Sequence, residues 1–144
     1  MRSEFATTLF ASGGVLLVLD QWSKRMVQLR VRAGCIHLGP ILRIRSTRNT
    51  KEFYKRNSVR TLLVLTWFTA LFSAILLQQS GAWFQSQAAM LGLGLAFGGA
   101  AGNLLDILRR RCIIDFIDLR WWPVFNLADV AIIAGLVLAF WPHR

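Results

Sequence analysis

Four apolar runs, each near the roughly 20 residues that a helix needs to cross a bilayer, account for most of this 144-residue chain. They fall at 5–25, 59–77, 82–105 and 126–141. With 55% hydrophobic residues and a mean hydropathy of +0.47, the chain is too apolar for an ordinary soluble domain. We expect one integral-membrane domain over 1–144, with four transmembrane helices. The first run follows Arg2 and has no small-residue cleavage site ahead of Asp20, so it reads as a retained helix rather than a removed leader. Between the first two runs, the segment 30–57 changes character. Arg43, Ile44 and Arg45 sit between Gly39-Pro40 and Asn49-Thr50, which predicts a small extramembrane strand or hairpin region.

The formal charge of +10 would suit a nucleic-acid binder, but the apolar runs outweigh that reading and point to anionic lipid headgroups instead. Most Lys and Arg lie between Lys24 and Arg60, with Arg109, Arg110, Arg111 and Arg120 between the last two runs. Cys35 and Cys112 lack any spacing signature and read as two free thiols. In the third run Gly94, Gly98 and Gly102 recur every four residues, a flat stripe that lets another helix backbone approach closely. Trp121-Trp122-Pro123-Val124-Phe125 reads as an aromatic belt at the membrane surface.

Against this background the carboxylates stand out. Asp106, Asp115, Asp118 and Asp129 all lie around the last loop, two of them inside strongly apolar sequence. A charged side chain in hydrocarbon is costly and survives where it faces protein or a watery cavity, which makes such residues functional candidates. No His, Cys or Glu stands beside them at ligand spacing, which argues against a metal site. His37 and His143 lie elsewhere in sequence, so a nucleophile with a histidine base is hard to assemble. What remains is a carboxylate pair sharing a proton, one activating water and the other donating. Spacing alone leaves the pair undecided. Asp106 and Asp129 occupy matching Asn-x-x-Asp settings, while Asp115 has the most apolar flanks, which suits an acid. Asp106 and Asp118 also suit simple ion pairs with Arg109, Arg110 or Arg120, and Asp129 suits the first turn of a helix.

Several blocks resemble the lipoprotein signal peptidases (signal peptidase II): Gly98-Gly99-Ala100-Ala101-Gly102-Asn103-Leu104-Leu105-Asp106, Ile114-Asp115-Phe116-Ile117-Asp118 and Phe125-Asn126-Leu127-Ala128-Asp129. Asp20-Gln21-Trp22-Ser23-Lys24 and Arg48-Asn49-Thr50 resemble two further blocks of that family. The resemblance implies four transmembrane helices with a small extramembrane β-cradle between helices 1 and 2. It implies an intramembrane aspartic endopeptidase, without metal or cofactor, that cleaves diacylglyceryl-modified prolipoproteins just before the lipidated cysteine. By position the catalytic pair falls on Asp115 and Asp129, and supporting roles fall on Asp20, Lys24, Asn49, Asn103, Asp106 and Asn126. The implied setting is the bacterial cytoplasmic (inner) membrane, with both termini in the cytoplasm, the pair near the outer face, anionic lipids around it, and a monomer. The Lys and Arg bias by itself favours the opposite orientation.

Two departures bear on activity. Asn49-Thr50 is usually followed by Gly, any residue, Ala and Phe; here Lys51, Glu52, Phe53 and Tyr54 follow. The residue after Asp106 is usually Arg and here is Ile107. They motivate a rival reading, a catalytically impaired paralogue that binds lipid or lipoprotein. A proton-coupled transporter is a third, for which four short spans offer little pathway.

Overall fold

The computed structural model describes residues 2–31, 35–81 and 83–141; His143 and the first residue of the run 82–105, named above, and the side chains of Arg2, Ser3 and Phe53 lie outside the description. Four helices form the body: α1 (Arg2–Arg30), α2 (Asn57–Gln79), α3 (Gln87–Arg110) and α4 (Leu127–Phe140). The first three are long and apolar enough to cross a membrane. At 14 residues, α4 is about 21 Å long, short of the roughly 30 Å hydrocarbon core. The chain enters it from the exposed Trp121–Pro123 segment, and Phe125, just before the helix, bridges to Ile117 of the last loop.

Glycine spacing explains how the body packs. A Cβ on Gly98 would strike the backbone of Gly13, and one on Gly102 would come within 2.5 Å of the Asp20 carboxylate. Gly94 likewise faces Leu9 and Ser12, so the four-residue stripe lies against α1. Gly92 and Gly99 point elsewhere on α3: a Cβ there would sit 2.5 Å from the carbonyl oxygen of Gly135 and 2.6 Å from that of Ala128, both on α4. Thus α3 is the central helix, pressed against α1 on one side and α4 on the other. Its N-terminus is capped by Ser86, whose hydroxyl accepts from the Ala89 amide at 3.0 Å. By contrast α2 stands away, leaving an apolar cleft of about 600 Å³ between it and α3 with α4, lined by Trp67, Phe97, Ile132 and Phe140 among others and reaching Asn103.

At one end of the bundle lies a three-stranded antiparallel sheet in the order β1 (Cys35–His37), β2 (Arg43–Asn49), β3 (Ile113–Asp118). The first two strands come from the segment between α1 and α2, as expected; the third comes from the loop between α3 and α4. Thr47 pairs with Asp115 and Arg43 with Asp118, with a register shift between Ile44 and Thr47. Asp118 anchors this seam: its carboxylate takes Arg43 at 3.0 Å, Arg45 at 2.8 Å and the Arg120 amide at 2.8 Å. Its ion-pair partners are therefore those on β2, and Arg120 contributes through its backbone. The amide bond and the two guanidinium groups hold the Asp118 carboxyl below its usual range, in that order of importance. Both cysteines are free, Cys35 exposed and Cys112 buried.

Candidate active site

Each polar residue of the site arrives on a different element. Asp20 and Lys24 sit one turn apart on α1, Asn103 and Asp106 near the end of α3, Asn49 at the end of β2 and Asp115 on β3. Asn126 and Asp129 open α4. The entry to α4 is a reciprocal cap. The Asn126 side chain accepts from the Asp129 amide at 3.0 Å, and the Asp129 carboxylate accepts from the Asn126 amide at 3.1 Å. Asp129 therefore does occupy the first helical turn, with its carboxylate held in place by the cap.

The same cap brings the two aspartates together. While its backbone holds Asp129, Asn126 donates through Nδ2 to Asp115 at 2.8 Å. Asn49 donates to the other Asp115 oxygen at 3.2 Å, and Asn103 donates to Asp129 at 2.8 Å. Asn126 Nδ2 also donates to Asn103 Oδ1 at 3.1 Å, closing a ring of Asn126, Asn103 and Asp129 to which Asp115 is joined through Asn126. Asp115 is 4% exposed, and burial pushes its carboxyl above the ordinary value. The hydrogen bonds from Asn49 and Asn126 pull it back, and the Asp129 charge raises it again. Asp129 itself is only half-buried. An aspartate pair with unequal access to solvent is suited to acid–base work.

Beneath the ring lies a second set. Lys24, Asp20 and Asp106 are all fully buried, and the Lys24 ammonium is 2.8 Å from each carboxylate. Its third contact is Asn103 Oδ1, at 3.0 Å. That bond orients the amide, because an oxygen turned toward Lys24 leaves the NH2 facing Asp129. Asp20 also accepts from the Ala128 amide at 3.1 Å, tying α1 to the first turn of α4. Arg110 closes the set by pairing with Asp106 one helical turn earlier, so a cation does reach this carboxylate although Ile107 follows it directly. Among the described residues no three of His, Cys, Asp and Glu converge as metal ligands.

One residue escaped the sequence reading except as a departure. Tyr54 lies on the 3-10 turn Glu52–Lys55, half-buried, and its phenol is pushed up first by burial and then by the charges of Asp115 and Asp129. Both charges act on the phenol, so Tyr54 lies in the neighbourhood of the pair. Lys51 and Glu52 on the same segment point outward, with Glu52 paired to Lys55 at 2.6 Å.

The family model described as "Signal peptidase (SPase) II" matches residues 13–143. A lipoprotein signal peptidase of Rhodococcus jostii (strain RHA1) is 33% identical over 138 residues, covering 90% of this chain and 69% of that one. One from Moorella thermoacetica is 57% identical over 51 residues; the match takes in 35% of this chain and 34% of that relative, so the chain spans about a third of its length. In fold, the chain resembles a bacterial membrane enzyme solved by the in meso method, with a TM-score of 0.74 at 24% identity over 91% of this chain and 88% of the other. The chain belongs to the signal peptidase II family.

Proposed function

We propose that this chain is an aspartic endopeptidase of the bacterial cytoplasmic membrane that removes signal peptides from diacylglyceryl-modified prolipoproteins, with Asp115 and Asp129 as its catalytic pair. The observation that carries the reading is the Asn126 bridge, which ties both carboxylates to one residue at a buried junction open to an apolar cleft. The cleft beside α2 would take the apolar helix of the signal peptide, leaving the scissile bond at the ring.

In the reaction the pair carries one proton. Asp129, the more accessible, takes a proton from water as its oxygen attacks the carbonyl carbon preceding the lipidated residue. Asp115, whose carboxyl burial pushes above its ordinary value, gives its proton to the carbonyl oxygen. The tetrahedral diol then collapses: its hydroxyl proton returns to Asp115, Asp129 passes its proton to the amide nitrogen, and the C–N bond breaks. The pair ends with one proton, as it began, and one water has been consumed. Asn49, Asn103 and Asn126 hold the two carboxylates in register, and Lys24, Asp20 and Asp106 hold Asn103.

The departures at Lys51, Glu52 and Ile107 leave this ring intact. Two of them face solvent and Arg110 supplies the cation at Asp106, which favours an active enzyme over an impaired paralogue. The basic sheet end, with Arg45, Arg48, Arg56 and Arg109 all exposed, suits anionic lipid at the outer face, and the chain acts as a monomer. In proteoliposomes containing the purified chain and a diacylglyceryl-modified prolipoprotein, mass spectrometry should find a new N-terminus at the lipidated cysteine. Intact substrate after prolonged incubation would overturn the assignment.

A further inference from the structure

A second apolar cleft meets the site on the face of α4 turned away from α3. It has a volume of about 470 Å³ and is walled by the Trp121–Phe125 loop and by Val130 and Ile133, with Asp129 on its lining. The volume lies within the range of small-ligand pockets, about 300–1,000 Å³. Because helix positions four apart share a face, Asp129, Ile133, Val137 and Trp141 form one row, and the last three are 67%, 54% and 62% exposed. From Asp129 to Trp141 that row runs about 18 Å at 1.5 Å per residue, enough to follow one leaflet of a roughly 30 Å hydrocarbon core.

The two clefts are not equivalent. The one beside α2 is lined by three helices and reaches Asn103. The second reaches Asp129 itself and is roofed by Trp121 and Trp122, aromatic residues of the kind that sit at the level of lipid headgroups. A substrate whose scissile bond joins an apolar helix to a lipid-bearing residue needs two apolar channels diverging from the carboxylates. One must admit a helix and the other an extended chain with its polar end at the interface.

We propose that the cleft between the Trp121–Phe125 loop and α4 binds an acyl chain of the substrate's lipidated residue, and so selects substrates by acyl length. This rests on the peptidase reading above. The chain enters under Trp121 and Trp122, passes Asp129 on the leaving-amine side and lies along Val130 and Ile133. Substrate tail, rather than ordinary bilayer lipid, fills it during turnover.

The test pairs kinetics with labelling. Lipidated peptides carrying long or short acyl chains are compared in mixed micelles, using the unaltered chain, Ile133→Trp, and Leu62→Trp as a control on the exposed face of α2. The unaltered chain should prefer the long-chain substrate about tenfold in KM, Leu62→Trp should match it, and Ile133→Trp should reduce the preference to about twofold. A long-chain substrate with a photoactivatable acyl terminus should label the unaltered chain within 121–137. Equal chain-length profiles for the unaltered chain and Ile133→Trp, or labelling confined to α1 or α2, would mean that bilayer lipid occupies the cleft and would overturn the proposal. Either result, obtained with cleavage intact, leaves the peptidase reading standing; no cleavage of any lipidated peptide by the unaltered chain would sink both.

Discussion

Lys24→Met is the substitution whose cost the structure specifies most closely. The buried set holds two carboxylates, Asp20 and Asp106, and two cations, Lys24 and the partly exposed Arg110, so its formal charge is zero. Methionine matches the length of the lysine stem but removes the ammonium, leaving the set at −1 with two carboxylates facing one vacated position. Removing one partner of a buried ion pair costs about 3–5 kcal/mol, because the remaining charge is left uncompensated. Two carboxylates lose a 2.8 Å partner here, so the upper half of that range applies. Against a total stability of about 5–15 kcal/mol, that is a large fraction. The assay is unfolding in a fixed detergent, followed by loss of helicity. The triple variant Asp20→Asn, Lys24→Met, Asp106→Asn serves as the rescue, since it removes the three fully buried charges, leaves only the partly exposed Arg110, and keeps an acceptor for the Ala128 amide. Lys24→Met should lose several kcal/mol and the triple variant should recover most of them. A loss below about 1 kcal/mol would refute the view that Lys24 neutralises this set, and an unrescued loss would show that the ammonium's hydrogen bonding, such as that to Asn103, and not charge balance, is what counts.

Asn49 donates to Asp115 and so favours its charged form; in Asn49→Ala the carboxyl should hold its proton to higher pH. The alkaline limb of the cleavage rate against pH should therefore move up, and a downward shift would contradict the acid role given to Asp115. Asp118 is the opposite case. Its carboxyl is held below the reference value of 3.8, so it contributes stability above that pH and loses the contribution as pH falls through its lower folded value. The melting-temperature advantage over Asp118→Asn should be full at neutral pH and should vanish in strong acid; an advantage independent of pH would remove the ionic explanation. Orientation can be read from the native thiols. Cys35 is exposed on β1, whereas Cys112 is buried and its thiol is pushed up by that burial. A membrane-impermeant maleimide should label Cys35 in intact cells; labelling only after lysis would place the sheet on the cytoplasmic side, as charge bias alone suggests.

The helical body was legible because its signals are compositional and periodic. Long apolar runs mark the helices, and the spacing of Gly94, Gly98 and Gly102 marks the face of α3 that meets α1. The second face, Gly92 and Gly99 against α4, carries no repeat and was not visible. Strand β2 announced itself through Gly39-Pro40 and Asn49-Thr50 at its ends. Strand β3 did not, since Ile113 to Asp118 is close to continuously buried and its two aspartates are three positions apart, so no two-residue alternation shows. In the site, Asp106 and Asp129 have the same local motif, and what separates them is tertiary: Lys24 arrives from α1 beside one of them, while the other forms the cap of α4. Family resemblance distinguished the two where spacing left them equal. Tyr54 feels the charges of the pair from the 3-10 turn that follows β2, a placement with no periodic signature.

The claim at the centre is that Asp115 and Asp129 perform the proton transfers of peptide hydrolysis. The most direct measurement is the single-turnover cleavage rate of a diacylglyceryl-modified prolipoprotein by Asp115→Asn and by Asp129→Asn. Both proteins are first shown by circular dichroism and size-exclusion chromatography to be folded. General acid–base groups contribute about 10²–10⁴-fold, so each variant should be slowed at least about a hundredfold. A rate within about threefold of the unaltered chain for either variant would contradict the account.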